Sequence, residues 1–413
     1  MVLATTSKVS EVADGILSRL LTTREGQADP YPLYRQLRDL APLHHSALDR
    51  NWYASGFEAC RAILGDSRFG KGETLFASRH GMDEARVESA MRRRRPSMIL
   101  VDPPEHSRLR GVAKAAFVPS RMEQLAPRVA ALVEDRLDVL AEAGEADVMA
   151  ELAFPLPITV IGELVGVPPE DRGQFRPLLD DIMGADRPDP SAEATAHAEE
   201  AFDALQAYFG ELIAERRARP QEDLLSSLVA AEGRGELSAD ELYGTVTLIF
   251  IAGFITTTNL IGSGLTALFR HPQEQAALWS DPSLVSGAVE EMLRFDTPVQ
   301  MVHRVAREDV EIDGAHLSSG ETVFTLLAAA NRDPGRFPDP DRFEVTRADN
   351  FHLAFAWGNH FCLGAHLARL EGRLVFDGLV RRFATVEPAG EPVRRPGLFI
   401  RGLESLPVRV RPH

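Results

Sequence analysis

Cysteine is scarce in this sequence, whose 413 residues include only Cys60 and Cys362. Two cysteines about three hundred positions apart cannot form a disulfide framework, a CxxC redox pair or a cysteine-rich zinc site. We therefore expect a reducing, cytoplasmic setting in which one thiol remains for chemistry.

Positive charge is also in deficit, because 45 Lys and Arg residues stand against 61 Asp and Glu residues, a net charge of −16. Nucleic acids and anionic membranes both favour basic surfaces, so we expect neither as a partner. The hydrophobic fraction of 44% and the charged fraction of 26% are ordinary for a globular protein, which excludes a disordered chain.

Long hydrophobic runs are few. The first 21 residues contain Glu11 and Asp14 and lack the apolar core of a signal peptide. Residues 244–269 carry no charge and are long enough to cross a bilayer, but three threonines and Asn259 lie at their centre. A helix that is apolar on all sides is otherwise a core helix of a large domain, so we expect no membrane span.

The distribution of apolar residues predicts one mainly α domain over residues 1–413, with a small β-rich subregion after residue 300. Residues 1–28 are expected to be loosely ordered, and residues 70–100 to form a long loop of the kind that often has a function. Residues 105–270 are expected to be helical almost throughout.

Two Ser–Glu pairs are typical of helix N-termini. Ser120 and Glu123 predict one such start, and Ser238 and Glu241 predict another. The helix from Ser238 would continue past Phe269 and extend about 45 Å. It must therefore cross the whole molecule.

The most informative stretch surrounds Cys362, which lies between Gly358 and Gly364 and immediately before a helical pattern. The positive end of a helix dipole lowers the pKa of a cysteine thiol, and nearby glycines let the backbone approach a flat ligand. A metal held by one thiolate needs further ligands from a cofactor. Haem supplies four nitrogens, and thiolate ligation suits O–O cleavage.

Two other interpretations of this cysteine are open. Most isolated cysteines are buried structural thiols. Because His360 and His366 are close in sequence, a Cys–His nucleophilic enzyme is the second alternative. The pattern of the whole loop decides between them.

The loop resembles the haem-binding loop of the cytochrome P450 family, F-G-x-G-x-H-x-C-x-G. The matching residues are Phe355, Gly358, His360, Cys362 and Gly364, while Ala356 replaces the first glycine. The resemblance extends over residues 29–410 and is greatest to soluble bacterial members. It implies the cytochrome P450 fold as a single large domain, haem b (iron protoporphyrin IX) as cofactor and Cys362 as the iron ligand.

The resemblance also implies residues that hold the two haem propionates. His106 and Arg110 match the family's H-x-x-x-R, and they share one helical face. Arg304 and His360 match two further contacts. Charge-assisted bonds from these side chains would neutralise both carboxylates.

Glu291 and Arg294 are three residues apart on a helix, which in isolation favours an ordinary surface ion pair. Their neighbours are apolar, however, and a buried pair needs further partners. By resemblance Arg342 supplies the third member of a structural triad.

The long helix carries the distal side of the site. By resemblance Ala252, Gly253 and Thr256 match A/G-G-x-D/E-T, but Ile255 occupies the position of the acid. Because isoleucine cannot relay protons, either Thr256 orders a water that delivers them or the reaction differs from simple hydroxylation. Alternatively, the threonine hydroxyl only bonds to a carbonyl one turn earlier.

The substrate pocket is expected, by analogy, to be mainly apolar. Its candidate residues are Phe254, Ile255, Val299, Met301, Val302 and Phe399, together with the 70–100 loop. Within that loop, residues 92–95 are four arginines, which form either a solvated charge run or a contact for an anionic substrate or an acidic carrier protein.

The resemblance implies a monomeric haem-thiolate monooxygenase that hydroxylates or epoxidises a medium-to-large small-molecule substrate, in polyketide, macrolide or peptide tailoring such as antibiotic biosynthesis. Ferredoxin and ferredoxin reductase are the implied electron donors, with Arg110, Lys114 and Arg369 as the docking candidates. Oxidative coupling or peroxide-driven chemistry is one alternative, because of Ile255. A haem sensor or recruitment module without turnover is the other.

Overall fold

The computed structural model describes residues 2–72, 95–184 and 191–413. Its helices are α1 (Val2–Thr22), α2 (Arg24–Ala28), α3 (Tyr31–Leu40), α4 (Phe57–Gly65), α5 (Glu105–Lys114), α6 (Pro119–Ala143), α7 (Pro155–Val165), α8 (Phe175–Gly184), α9 (Ala192–Ala218), α10 (Leu224–Gly233), α11 (Ala239–Arg270), α12 (Pro272–Ser280), α13 (Val285–Phe295), α14 (Leu327–Ala330) and α15 (Ala365–Arg382). Its strands are β1 (Leu43–His45), β2 (Trp52–Ala54), β3 (Phe69–Gly70), β4 (Glu145–Asp147), β5 (Val302–Ala306), β6 (Val310–Ile312), β7 (Ala315–Leu317), β8 (Thr322–Thr325), β9 (Phe383–Pro388), β10 (Val393–Arg394), β11 (Leu403–Ser405) and β12 (Pro407–Pro412).

Helix α11 is the central element, and its start confirms the sequence prediction. The Ser238 hydroxyl accepts a bond from the Glu241 amide at 3.3 Å, and the Glu241 carboxylate accepts one from the Ser238 amide at 2.8 Å. This capping box satisfies two helix-end donors. The helix then packs against α7, α9, α13 and α15.

Among the described residues, α11 is the one helix long and apolar enough to cross a membrane. Two thirds of its most apolar window, 67%, is buried against the rest of the protein. A helix enclosed in this way is apolar on all sides because it lies in the core.

Two expectations were wrong, one about the start of α6 and one about the order of the N-terminal segment. Helix α6 begins at Pro119, where proline is already suited to the first helical position, so Ser120 lies inside the helix and no side chain caps it. Residues 1–28 contain α1 and α2 rather than a loosely ordered segment. Leu17 and Leu20 of α1 are buried at helical spacing in a cluster shared with α3, which explains why the segment is held.

The β-rich subregion consists of small sheets beside the helices. A five-stranded sheet has the order β1-β2-β8-β5-β3, in which only the β2–β8 pair is parallel. A three-stranded sheet, β4-β12-β9, joins the C-terminal strand to the end of α6. Strands β10 and β11 form a hairpin whose connecting segment contains Phe399.

Candidate active site

The loop before α15 presents Cys362 to a cavity. The Cys362 amide donates to the Phe355 carbonyl at 3.0 Å, which closes the loop. Gly358 has a φ of +72°, and a Cβ there would lie 2.3 Å from the Leu64 carbonyl oxygen, so only glycine fits. Ala356 also adopts a positive φ, of 57°, where the family motif has glycine, and thus carries local backbone strain.

The cavity has two connected compartments. The lower compartment reaches Cys362 and is enclosed on the other side by α11, from which it is lined by Leu248, Ile249, Ala252, Gly253, Thr256 and Leu260. The upper compartment has a volume of about 390 Å³. The two share Ile99, Leu248, Ala252 and Val302, so a ligand can extend from one into the other.

Burial raises the pKa of the Cys362 thiol, which differs from the lowered pKa expected from its helix N-terminus. The Gly364 amide and the guanidinium groups of Arg110 and Arg369 lower this pKa but do not outweigh desolvation. A metal cation is the group that deprotonates such a thiol outright, because its charge compensates the thiolate directly.

A cluster of nitrogen donors lies at one edge of the lower compartment. The rings of His106 and His360 are 4.3 Å apart, and Arg110 donates to the Phe361 carbonyl at 2.7 Å. His106 is 3% exposed, and its buried Nε2 has no hydrogen-bond partner within the part of the chain that the structure describes. Arg304 lies within electrostatic range of both histidines.

Desolvation disfavours the charged forms of this cluster. Burial lowers the pKa of His360 to about 4 and that of Arg304 to about 10, and it also lowers the pKa of His106. The Asp102 carboxylate lies 4.0 Å from the His360 Nε2 and raises the pKa of His360, so it partly offsets the effect of burial. Two guanidinium cations and two imidazole N–H groups gathered with so little opposing charge are suited to a carboxylate-bearing ligand.

Comparison with known proteins agrees with this geometry. The family model described as Cytochrome P450 matches residues 173–402, more than half of the chain. The chain belongs to the cytochrome P450 family. Membership makes it a haem-dependent monooxygenase, an oxidoreductase that incorporates oxygen from O2, and it confirms the resemblance and the mainly helical fold predicted from sequence.

Individual P450s match along nearly the whole chain. Cytochrome P450 monooxygenase PikC of Streptomyces venezuelae is 42% identical over 395 residues, which are 93% of this chain and 92% of PikC. Polyketide biosynthesis cytochrome P450 PksS of Bacillus subtilis (strain 168) is 36% identical over 396 residues, 93% of this chain and 96% of PksS. P450BioI, in complex with an acyl carrier protein ligated by hexadec-9Z-enoic acid, matches with a TM-score of 0.84 at 35% identity, over 94% of this chain and 100% of that chain.

The residues present fit the haem of a P450. The Cys362 side chain is open to the lower compartment although the residue is enclosed by protein. The unsatisfied Nε2 of His106, with Arg110 and His360 beside it, forms a donor set for propionate groups. A single thiolate is a complete protein contribution to a metal whose other ligands come from the cofactor.

On α11, the Thr256 hydroxyl donates to the Ala252 carbonyl at 3.2 Å, the local bond considered as the alternative from sequence. A Cβ on Gly253 would lie 2.5 Å from the Ile161 side chain, so this glycine lets α11 approach α7 closely. The hydroxyl oxygen of Thr256 retains the capacity to accept a bond from a molecule in the cavity.

Two pocket residues expected from sequence were wrong. Phe254 is 1% exposed and packs edge-to-face against Phe154, on the face of α11 away from the cavity. Ile255 packs into the main hydrophobic cluster and, among the described residues, lines neither compartment. The position of Phe254 on the helix explains its result, because a side chain two residues beyond Ala252 is rotated by about 200° and points to the opposite face.

The other candidates do line the cavity. Val299 borders the lower compartment, Val302 borders both, and Met301 and Phe399 border the upper one. Sequence reasoning did not identify Tyr243, Thr247 and Gln206 as lining residues of the upper compartment. Tyr243 and Thr247 are four residues apart on α11, as Leu248 and Ala252 are, so helical spacing could have found them. Residues 73–94, and with them Arg92–Arg94, lie outside the described residues.

The structural triad contains a different third member from the one expected. Glu291 and Arg294 are both fully buried and joined by two bonds of 2.7 Å. Arg347, not Arg342, donates its Nε to the Glu291 carboxylate at 3.2 Å. The Arg342 side chain is 61% exposed and lies 4.0 Å from Glu274, while its backbone carbonyl accepts bonds from Arg294 and Arg347.

Proposed function

We propose that this P450 is a cytoplasmic enzyme that uses haem b to hydroxylate or epoxidise a medium-to-large, largely apolar molecule of secondary metabolism. One observation carries the proposal: Cys362 and Thr256 line the same apolar compartment, which continues into an upper compartment of about 390 Å³. A substrate of that size can reach the reactive centre while its remainder fills the upper space.

Four side chains hold the cofactor in this proposal, with Cys362 as the iron ligand. His106, Arg110 and His360 bind the propionates directly, and the buried Arg304 adds positive charge behind them. Haem, when bound, supplies the activation of O2 that the amino acids cannot provide. The apolar lining excludes water from the space above it.

Thr256 orients a water or a substrate hydroxyl beside the reacting centre. Its hydroxyl hydrogen is directed to the Ala252 carbonyl, so its oxygen acts as an acceptor and holds a proton donor in place. Because Ile255 cannot donate or accept a proton, the protons must arrive through such bound molecules.

The upper compartment selects the substrate. Its lining combines apolar side chains with the polar groups of Gln206, Tyr243 and Thr247, which suits a molecule with a hydroxyl or carbonyl at its far end. The name of PksS refers to polyketide biosynthesis, and P450BioI was seen with an acyl carrier protein, so a polyketide, macrolide or peptide, free or carrier-bound, is the proposed substrate class.

Carrier recognition by the arginine run remains a proposal. Arg95 is engaged within the protein, because it bonds to Gln206 and Asp240 and stacks over Tyr243 at 4.4 Å. Reversing the charge of Arg92–Arg94 should raise the Kd of a carrier-bound substrate without changing that of the free acid. Equal effects on both would contradict carrier recognition.

Ferredoxin is the proposed electron donor, on the cysteine side of the molecule. Of the three docking candidates, Lys114 is exposed, whereas Arg110 faces the cavity and Arg369 is paired with Glu290 at 2.7 Å. The rate with limiting ferredoxin should fall with rising salt, and more weakly in Lys114→Gln. A salt-insensitive rate would contradict electrostatic docking.

The reduced-CO difference spectrum tests the assignment of Cys362. Thiolate ligation should give its long-wavelength Soret band in wild type and in the matched variant Cys60→Ser, and Cys362→Ser should lose it. A band that survives in Cys362→Ser would overturn the proposal.

Turnover with O2, ferredoxin and its reductase should then yield a product one oxygen atom heavier than the substrate. The absence of an acid at Ile255 favours peroxide-driven chemistry or oxidative coupling as the second candidate. Product formed with added H2O2 but not with O2 and electrons would establish that candidate instead. Substrate binding without either product would favour a sensor.

A further inference from the structure

An ion pair near the Cys362 loop joins two helices on the cysteine side of the molecule. Glu290 belongs to α13 and Arg369 to α15, and these helices pack against each other. The Arg369 Nε and Nη2 donate to the Glu290 carboxylate at 2.7 and 2.8 Å, and both side chains are partly buried. His352 bonds to the same carboxylate at 3.2 Å. We call Glu290, His352 and Arg369 the cysteine-side network.

The main chain fixes the tautomer of His352. Its Nδ1 accepts a bond from the Ala354 amide at 3.2 Å, so its Nε2 carries the hydrogen that is donated to Glu290. Burial raises the pKa of Glu290, but the bonds from His352 and Arg369 outweigh it and lower this pKa to about 2. Glu290 is therefore negatively charged at neutral pH.

The other end of the network is directed at the Cys362 loop. The guanidinium carbon of Arg369 lies 4.5 Å from the centroid of the Phe355 ring, and the Phe355 carbonyl accepts the bond from the Cys362 amide. Burial raises the pKa of the Cys362 thiol, and the positive charge of Arg369 acts against this effect. Arg369 thus stabilises negative charge on the sulfur atom.

An ordinary ion pair between two helices contributes only a modest stabilisation. The cysteine-side network differs because both of its charged ends are held. Its carboxylate is bonded to a histidine of fixed tautomer, and its guanidinium stacks on the residue that bonds to the Cys362 amide. Two opposite charges therefore stand at fixed positions relative to the sulfur atom.

We propose that Glu290 is a positioning residue for electron uptake, which holds Arg369 beside the Cys362 loop and opposes its charge. The inference rests on the proposed role of Cys362 as the iron ligand. Reduction adds one electron, and hence one negative charge, to the bound haem, so Arg369 raises the reduction potential and Glu290 lowers it. A pair with a structural role alone would not produce effects of opposite sign.

Reductive titration of the ferric holoenzyme with dithionite and redox mediators, followed at the Soret band, tests the proposal without ferredoxin. Glu290→Gln should raise the midpoint potential and Arg369→Gln should lower it. Because solvent screens partly exposed charges, we expect each to change the ferrous-to-ferric ratio at a fixed potential about threefold. Glu163→Gln is the matched control and should leave the potential unchanged, because Glu163 pairs in the same way with Arg128, at 3.0 and 2.7 Å.

The reduced-CO spectrum of each protein separates this inference from the assignment of Cys362. Where the thiolate band is present, unchanged potentials, or shifts of the same sign in Glu290→Gln and Arg369→Gln, would overturn the proposal. A wild-type protein without the band would refute the role of Cys362 and the proposal with it. If Arg369→Gln does not bind haem, the nearly isosteric Glu290→Gln decides, because a rise in potential that Glu163→Gln lacks supports the proposal and no rise overturns it.

Discussion

Replacement of Arg347 by methionine should destabilise the protein, whereas the same replacement of Arg342 should not. Arg347 is 6% exposed and donates to the fully buried Glu291, whose carboxylate also receives bonds from Arg294, Asn350 and the Glu344 amide. Removing one partner of a buried ion pair costs about 3 kcal/mol, because the remaining charge stays desolvated. The exposed Arg342 should contribute less than about 0.5 kcal/mol.

These energies translate into measurable shifts. For 413 residues the unfolding entropy at the midpoint is about 0.9 kcal/mol/K, so 3 kcal/mol corresponds to a fall in Tm of about 3–4 °C. Thermal unfolding of the two holoenzymes followed by far-UV circular dichroism, at one scan rate, provides the comparison. Equal losses in Arg347→Met and Arg342→Met, or a larger loss in the latter, would refute the assignment of Arg347 to the triad.

Further predictions concern three other positions. Gly253→Ala places a methyl 2.5 Å from Ile161 and should cost about 1–3 kcal/mol in urea unfolding; an unchanged midpoint would show that α7 yields freely. Gly358→Ala should lower the Soret-to-protein absorbance ratio, because its Cβ meets the Leu64 carbonyl, whereas Gly173→Ala, in open space, should not. Burial raises the pKa of Glu371 in the folded protein well above its usual 4.5, so this carboxyl loses its proton at a lower pH in the unfolded chain than in the folded protein. Between the usual pKa and the raised one, the stability of wild type should therefore decline with rising pH, relative to Glu371→Gln, by up to about 1.4 kcal/mol per pH unit. Parallel pH profiles of the two proteins would contradict a protonated Glu371.

The parts of the fold and site that sequence predicted are those governed by local rules. The capping box at Ser238 involves residues three apart, so its geometry follows from the chain alone. The loop around Cys362 is similarly local, since Gly358 must take a positive φ wherever this turn occurs.

The predictions that were wrong concern side chains whose positions depend on tertiary contacts. Arg342 and Arg347 both lie in an irregular meander without periodicity, so sequence alone does not determine which guanidinium turns inward. Helix α11 carries apolar residues on all sides, so its sequence pattern did not reveal which side faces the cavity. A rotation of about 100° per residue would have excluded Phe254, which lies about 200° from Ala252.

The walls of the lower compartment come from distant parts of the chain, between Met98 and Ala368. At about 5–20 residues per second, a ribosome needs some tens of seconds to pass from the first wall residue to the last. From the completion of α11 at Arg270 until α15 has been made, the apolar surface of α11 lacks this partner, and the nascent chain has no complete place for its cofactor. Haem shortage in the producing cell should therefore reduce the yield of folded protein before it reduces the activity of each molecule.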